Sequence, residues 1–181
     1  MAEVSLEFTP NPNSLKFNIF GKALTERGAF NFRNSLDAEG KSPLACRIFE
    51  VKGVSGVMVG KDFVTVIKTP EADLSEVHEK ARFALCSFLD SGETPVTCEV
   101  ERKVQRTDLE TAIESYLDAE VKPKLAQDGG SVSFEGFDNG VVYLQLQGSC
   151  STCPSSKATL KRGIEIGLKR NFSEVTEVVS V

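Results

Sequence analysis

The stretch that constrains the fold most is residues 141–181. The run Val141-Val142-Tyr143-Leu144-Gln145-Leu146-Gln147 alternates apolar and polar side chains and predicts a strand. Residues 154–171 predict a helix, with Pro154 at a first helical position, where its missing N–H would find no intrahelical partner anyway. Residues 174–181, Glu-Val-Thr-Glu-Val-Val-Ser-Val, predict a second strand. A strand-helix-strand unit of this length brings the second strand back parallel to the first through a right-handed crossover.

Between the first strand and the helix stands Gly148-Ser149-Cys150-Ser151-Thr152-Cys153-Pro154-Ser155-Ser156. Two cysteines two residues apart, beside unpaired helix N–H groups and the positive end of a helix dipole, favour thiolate over thiol and tolerate an anionic ligand. Soft-metal binding, redox chemistry and two half-buried structural thiols all produce such a pair. Because Pro154 follows the second cysteine, both are expected to precede the helix and face outward on a short loop, a geometry that suits chelation better than sequential attack. A tetrahedral thiolate site needs four ligands, and Cys150 with Cys153 supplies two. The others would come from Cys46, Cys86, Cys98 or a second copy of the chain, and a second copy is the economical source.

Five cysteines, unevenly spaced in 181 residues, point to a reducing compartment rather than a disulfide framework. A net charge of −5 argues against nucleic acid and anionic membrane as principal partners. No run approaches the eighteen or so apolar residues of a membrane helix. The first residues, Met1-Ala2-Glu3-Val4-Ser5-Leu6-Glu7, are acidic and alternate like a strand, so no targeting segment is expected and the predicted location is the cytoplasm, with a processed mitochondrial matrix form as the alternative.

Upstream, residues 5–8 and 14–20 alternate around Thr9-Pro10-Asn11-Pro12-Asn13 and predict a hairpin. Residues 21–40 are expected to be irregular, with short pieces of structure. A helix is predicted from Ser42-Pro43 through Phe49, a second hairpin across Gly60-Lys61-Asp62, and an amphipathic helix over residues 71–89 with Leu74, Val77, Ala81, Leu85 and Phe88 inward. His78, the one histidine, is read as an exposed bystander; Cys46, Cys86 and Cys98 are read as structural. Thr107-Asp108-Leu109-Glu110 is a capping box opening a helix that Pro123 should kink near its end. Asp138-Asn139-Gly140 predicts a tight hairpin turn. Gly163 and Gly167 permit a close approach, for which packing on the sheet is preferred to a dimer seam.

The fold class expected is therefore α+β in two small domains. The first, residues 1–92, is β-α-β-β-α-like. A linker spans residues 93–106, and residues 107–181 form an α-β-β-α-β domain with a three-stranded mixed sheet.

Several of these residues resemble a known family. Gln127-Asp128-Gly129-Gly130, the Gly148–Ser156 stretch, Thr159-Leu160-Lys161 and Gly163-Ile164-Glu165 are similar to the NifU-like C-terminal domain of Nfu proteins. Pro10-Asn11-Pro12-Asn13-Ser14-Leu15-Lys16-Phe17, Ser42-Pro43-Leu44-Ala45 and Gly60-Lys61-Asp62-Phe63 resemble the Nfu N-terminal domain. The resemblance implies a non-enzymatic iron–sulfur carrier, with scaffold as a variant. It would hold one labile 4Fe–4S cluster per homodimer on Cys150 and Cys153 of each subunit, receive it from upstream assembly proteins and pass it to apo iron–sulfur enzymes. A thiol–disulfide oxidoreductase and a structural zinc-binding dimer are the alternatives for the same cysteine pair.

Overall fold

The computed structural model describes residues 3–26, 28–97, 106–152 and 157–181. The chain divides into two compact units, Met1–Val100 and Glu101–Val181. Among the described residues no helix is long and apolar enough to cross a membrane.

The first unit is built on five antiparallel strands: β1 (Glu3–Phe8), β2 (Ser14–Phe20), β3 (Phe30–Phe32), β4 (Val54–Val59) and β5 (Phe63–Lys68), in spatial order β1-β2-β5-β4-β3. Three helices join them: α1 (Ser35–Ala38), α2 (Pro43–Phe49) and α3 (Leu74–Ser91). The expected hairpins, helix start and long helix are present. The Asn-Pro turn between β1 and β2 is held by Asn11, whose side-chain oxygen accepts the Asn13 N–H at 3.0 Å. Ser42 caps α2 by accepting the Ala45 N–H at 3.1 Å while its own hydroxyl donates to the Pro95 carbonyl at 2.7 Å. One face of the sheet, through Leu15, Phe17, Val57, Val64 and Val66, packs on Leu44, Ile48, Val77, Ala81, Leu85 and Phe88 of the helices.

Residues 21–40, expected to be irregular with short pieces of structure, hold a short edge strand, β3, because Phe30 and Phe32 pair with Val59 and Val57 on β4. Three residues are too few to show a period in sequence. His78 is half-buried, its ring stacked on Phe17 at a centroid distance of 5.8 Å, so it packs rather than standing free.

The second unit runs α4 (Asp108–Tyr116), a π-helical turn (Leu117–Val121), α5 (Lys122–Gln127), β6 (Gly130–Asp138), β7 (Val141–Gly148), α6 (Ser149–Thr152), α7 (Lys157–Asn171) and β8 (Glu177–Ser180). The sheet order is β6-β7-β8, with β6 and β7 antiparallel and β8 parallel to β7. This is the mixed three-stranded sheet that the crossover argument requires. The β6–β7 turn closes through Asn139 (φ 48°) and Gly140 (φ 86°), two successive left-handed residues of the kind a two-residue hairpin loop demands.

The capping box at Thr107 is complete. Glu110 donates its N–H to the Thr107 hydroxyl at 3.3 Å, and the Thr107 N–H donates to the Glu110 carboxylate at 2.9 Å. Downstream, Pro123 does more than kink the helix. Lacking an N–H, it deprives the carbonyl four residues back of its partner and crowds it, and the ladder widens ahead of it: Lys122 donates to Leu117, five residues back. Gly167 faces helix α4 rather than the sheet; a Cβ there would lie 2.5 Å from the Tyr116 hydroxyl oxygen, whereas one at Gly163 would meet nothing within 4 Å.

Of the segment expected as a linker, Thr97 donates its N–H to the Lys41 carbonyl at 2.8 Å in the first unit. Arg106 pairs with Glu114 and lies over the Phe134 ring at 5.0 Å in the second. Residues 98–105, Cys98 among them, lie outside the described residues.

Replacing Thr107 with alanine should destabilise the second unit by about 1 kcal/mol in urea unfolding, the usual cost of a lost N-cap. The hydrogen bonds from the Thr107 backbone, then its hydroxyl, hold the Glu110 carboxyl below the ordinary Glu range. A folded-state pKa below the unfolded one gives stability that is present above the unfolded value and lost as pH falls through the folded one. The stability gap between the native chain and Glu110→Gln should therefore close on acidification from pH 6 toward pH 3.

Candidate metal centre

The site is assembled where the β6–β7 hairpin meets the helices at its open end. Helix α5 stops at Asp128, and Gly129 takes a left-handed φ of 70° that ends the helix and turns the chain into β6. Gly130, the first residue of β6, pairs with Gly148, the last of β7. Gly148 is also left-handed, at φ 60°, so a helical turn starts at once in α6. The Ser149 N–H donates to the Gly129 carbonyl at 3.1 Å, and the Ser151 hydroxyl donates back to the Gly148 carbonyl at 2.8 Å. Two glycine turns on neighbouring strands are thus stitched to each other.

Cys150 is aimed by that stitching. Its sulfur lies over the bare Cα of Gly130, where a Cβ would fall 2.2 Å from Sγ and 3.0 Å from the cysteine Cβ. Only glycine leaves room for the thiol. The cysteine is 3% exposed and belongs to the apolar core of the unit with Leu125, Val132 and Leu146. The expectation that it would face outward on a short loop is corrected: the left-handed Gly148 curls the chain into a helical turn directly after the strand and folds Cys150 back over β6. Cys153 and Pro154 lie outside the described residues.

Helix α7 follows four residues after α6 and spans 15 residues, enough for a full end-dipole. Its one acid, Glu165, accepts from Lys169 at 2.5 Å and from the Val178 backbone at 3.4 Å, and the lysine's hydrogen bond chiefly holds its carboxyl below the ordinary range. Lys161, one turn earlier, acts on the same carboxylate.

The other cysteines are placed differently. Cys46 and Cys86 both lie in the first unit, half-buried on α2 and α3, in no disulfide. Burial, then the Glu39 carboxylate, pushes the Cys46 thiol above its ordinary pKa, which disfavours the thiolate a metal needs. Among the described residues no three His, Cys, Asp or Glu side chains gather into a metal-sized group. The packing role of Gly130 under the Cys150 sulfur was not derivable from periodicity. The doubled Gly129-Gly130 was the available signal, but which glycine meets the sulfur depends on strand register.

Comparisons with known proteins match the two units separately. Residues 113–179 match the model of the NifU-like domain, and residues 4–92 match that of the Nfu/NifU scaffold-protein N-terminal domain. The human protein named NFU1 iron-sulfur cluster scaffold homolog, mitochondrial, is 39% identical over 98% of this chain and 71% of its own length. The protein of the same name from Drosophila erecta is 38% identical, and the chain spans 64% of its length. The solution structure of a NifU-like protein from Saccharomyces cerevisiae superposes with a TM-score of 0.50 at 27% identity, covering 55% of this chain and 87% of that one. The named relatives are mitochondrial, which overturns the expectation of a cytoplasmic protein drawn from the first few residues.

Gly130→Ala should lower the urea midpoint of the second unit, with a cost of about 1–3 kcal/mol for overpacking. It should also raise the alkylation rate of Cys150, followed by mass spectrometry of that peptide. Gly136→Ala, where a Cβ meets nothing within 4 Å, should change neither.

Proposed function

The chain belongs to the Nfu family, joining an Nfu/NifU N-terminal domain to a NifU-like domain, and on that premise we propose that it serves iron–sulfur cluster assembly as a non-enzymatic carrier. Its cargo is a 4Fe–4S cluster bridged between two copies of the chain by Cys150 and Cys153 of each, delivered by upstream assembly proteins and passed on to apo iron–sulfur proteins in the mitochondrion. The observation that carries this reading is the site itself: a cysteine held on its own glycine-closed turn at the mouth of a sheet, inside the stretch that matches the NifU-like domain.

Four thiolates around a cuboidal cluster make a net-negative complex, which unpaired N–H groups at a helix start and nearby lysines such as Lys161 can stabilise. Two subunits each supplying two thiolates satisfy the count without calling on Cys46, whose raised pKa suits it to the core. Because Cys150 is 3% exposed, the α6 turn must rotate off Gly130 before the sulfur can reach a metal shared with a second chain. The turn is four residues long and is held at its start by backbone and serine hydrogen bonds, so opening it leaves the sheet intact. Loading and release then use the same movement, and exposure of the loaded cluster lets acceptor thiols exchange in.

The relatives' name, scaffold, favours a second reading in which the cluster is built on this protein. Nothing in the sequence resembles a sulfur-supplying site, so delivery is the preferred role.

Anaerobic reconstitution with iron and sulfide should give a brown protein with about four irons per two chains, dimeric by light scattering. Cys150→Ala and Cys153→Ala should each abolish the colour, and Cys46→Ala should keep it. Retained cluster in the Cys153→Ala chain, or zinc rather than iron in protein purified without oxygen, would refute the assignment.

A further inference from the structure

The outward face of α7 carries a stripe that cluster binding does not use. Arg162, Ile166 and Arg170 recur every fourth residue, so they lie along one side of the helix. All three are exposed, and Ile166, at 47%, is one of the few large aliphatic side chains on the described surface. Beside them Gly163 opens a gap in which a Cβ would meet nothing within 4 Å. The opposite side of the helix, Ile164 and Leu168, is sunk in the core.

The two arginines of this stripe differ from the paired helical lysines, one of which is on α7 itself. Lys80, Lys122, Lys124 and Lys169 each have a carboxylate one turn earlier, Glu76, Asp118, Glu120 and Glu165, within 3.5 Å. Among the described residues Arg162 and Arg170 make no ion pair. The residues one turn before them are Ala158 and Ile166, and Glu165 is turned toward Lys169 and β8. Two unneutralised guanidinium groups thus flank an aliphatic side chain, on a chain whose net charge is −5. Arginine around a small apolar centre is the composition of a protein interface rather than of a solvated face.

A second copy of the chain is a poor occupant. Like stripes would set guanidinium against guanidinium, and four acids of the helical run from α4 to α5 are engaged: Glu110 in its capping box, Glu114 with Arg106, Asp118 and Glu120 with lysines. We propose that the Arg162–Ile166–Arg170 stripe of α7 is the docking surface for an acidic patch, with an aliphatic side chain at its centre, on the apo-protein that accepts the cluster. The stripe lies on the helix that follows the Cys150 turn, and its first residue, Arg162, stands about 8 Å along the axis from the start of that helix, within the span of a protein seated on the stripe. Opposite charge would raise the encounter rate and align the partner before any ligand is exchanged. The inference rests on the carrier reading, but its binding part can be tested without a cluster.

The probe is an apo-ferredoxin of the 4Fe–4S class, an acidic acceptor, with the full-length chain. Transfer from the loaded chain is followed by absorbance, and direct binding of the cluster-free chain by nitrogen-15 NMR titration. Arg162→Glu with Arg170→Glu should lower the second-order transfer rate by about tenfold or more and remove its salt dependence. Ile166→Asp should slow it as well. Cluster loading, and cluster loss to a small chelator, should stay at native values in these variants. Arg82→Glu, an exposed arginine on α3 of the first unit, should leave transfer unchanged. In the titration, shifts should centre on residues 162–170. Equal transfer rates, or shifts that avoid α7, would overturn the proposal. So would loss of the loaded dimer in the charge-reversed chain, which would make the stripe a seam between copies. Stripe-dependent binding to vesicles containing 30% phosphatidylserine, with none to apo-ferredoxin, would assign it to a membrane instead. If the native chain takes up no cluster while α7 still binds the apo-ferredoxin, the carrier reading fails and the docking surface stands.

Discussion

The contact between the Cys150 sulfur and the bare backbone of Gly130 governs the second unit. It requires β6 and β7 in a register that sets Gly130 opposite Gly148. It requires a left-handed residue at each approach, Gly129 out of the helix and Gly148 out of the strand. It also requires a hairpin loop of two residues, because one more would slide every pair and place a side chain under the sulfur. The Asn139-Gly140 turn at the far end of the hairpin is therefore part of the cysteine's geometry, although it lies a full strand away. The bulge that admits an extra residue between Phe134 and Gly136 is accommodated between these two ends without disturbing either.

Helix packing supplies the rigidity that the turn itself lacks. Tyr116 lies across Gly167 and edge-on to Phe172, so α4 and the end of α7 are locked at short range, at the end of the unit remote from the cysteine. The Thr107 capping box and Arg106, which reaches both Glu114 and the Phe134 ring, fix the start of α4. Helix α6 is short, four residues, and its contacts include Ser149 bonded to Gly129 and Ser151 to Gly148.

The sequence spelled out this architecture unevenly, for physical reasons. Long periodic elements were legible: α3 through Leu74, Val77, Ala81, Leu85 and Phe88, and β7 through its strict alternation. The strand-helix-strand order was enough to require a parallel β8. Turn chemistry was equally plain at Asn139-Gly140 and at the Thr107 cap, where single residue types are demanded by backbone conformation. What escaped was set by tertiary contact. The three-residue β3 exists because β4 offers it a partner, and the π turn exists because Pro123 removes a donor from a helix that neighbouring packing keeps continuous. Gly167 serves Tyr116 and not the sheet because of how α4 crosses. The burial of Cys150 escaped for the same reason: a cysteine after a strand could point either way until the φ of Gly148 was known.

The proposed carrier role sets two opposed demands, protection of the thiols when empty and surrender of the cargo when full. Burying Cys150 against glycine answers the first, since a sulfur 3% exposed is shielded from oxidants and from stray metals. The second needs the same sulfur at a surface shared with another molecule. A rigid site on a strand could satisfy one demand alone. On the proposed reading, a short helical turn that starts on a left-handed glycine can meet both, because it can move without repacking the sheet behind it. The glycines are thus more than turn formers: Gly130 leaves the space that the Cys150 sulfur fills, and the left-handed Gly148 sets the direction from which the sulfur enters it.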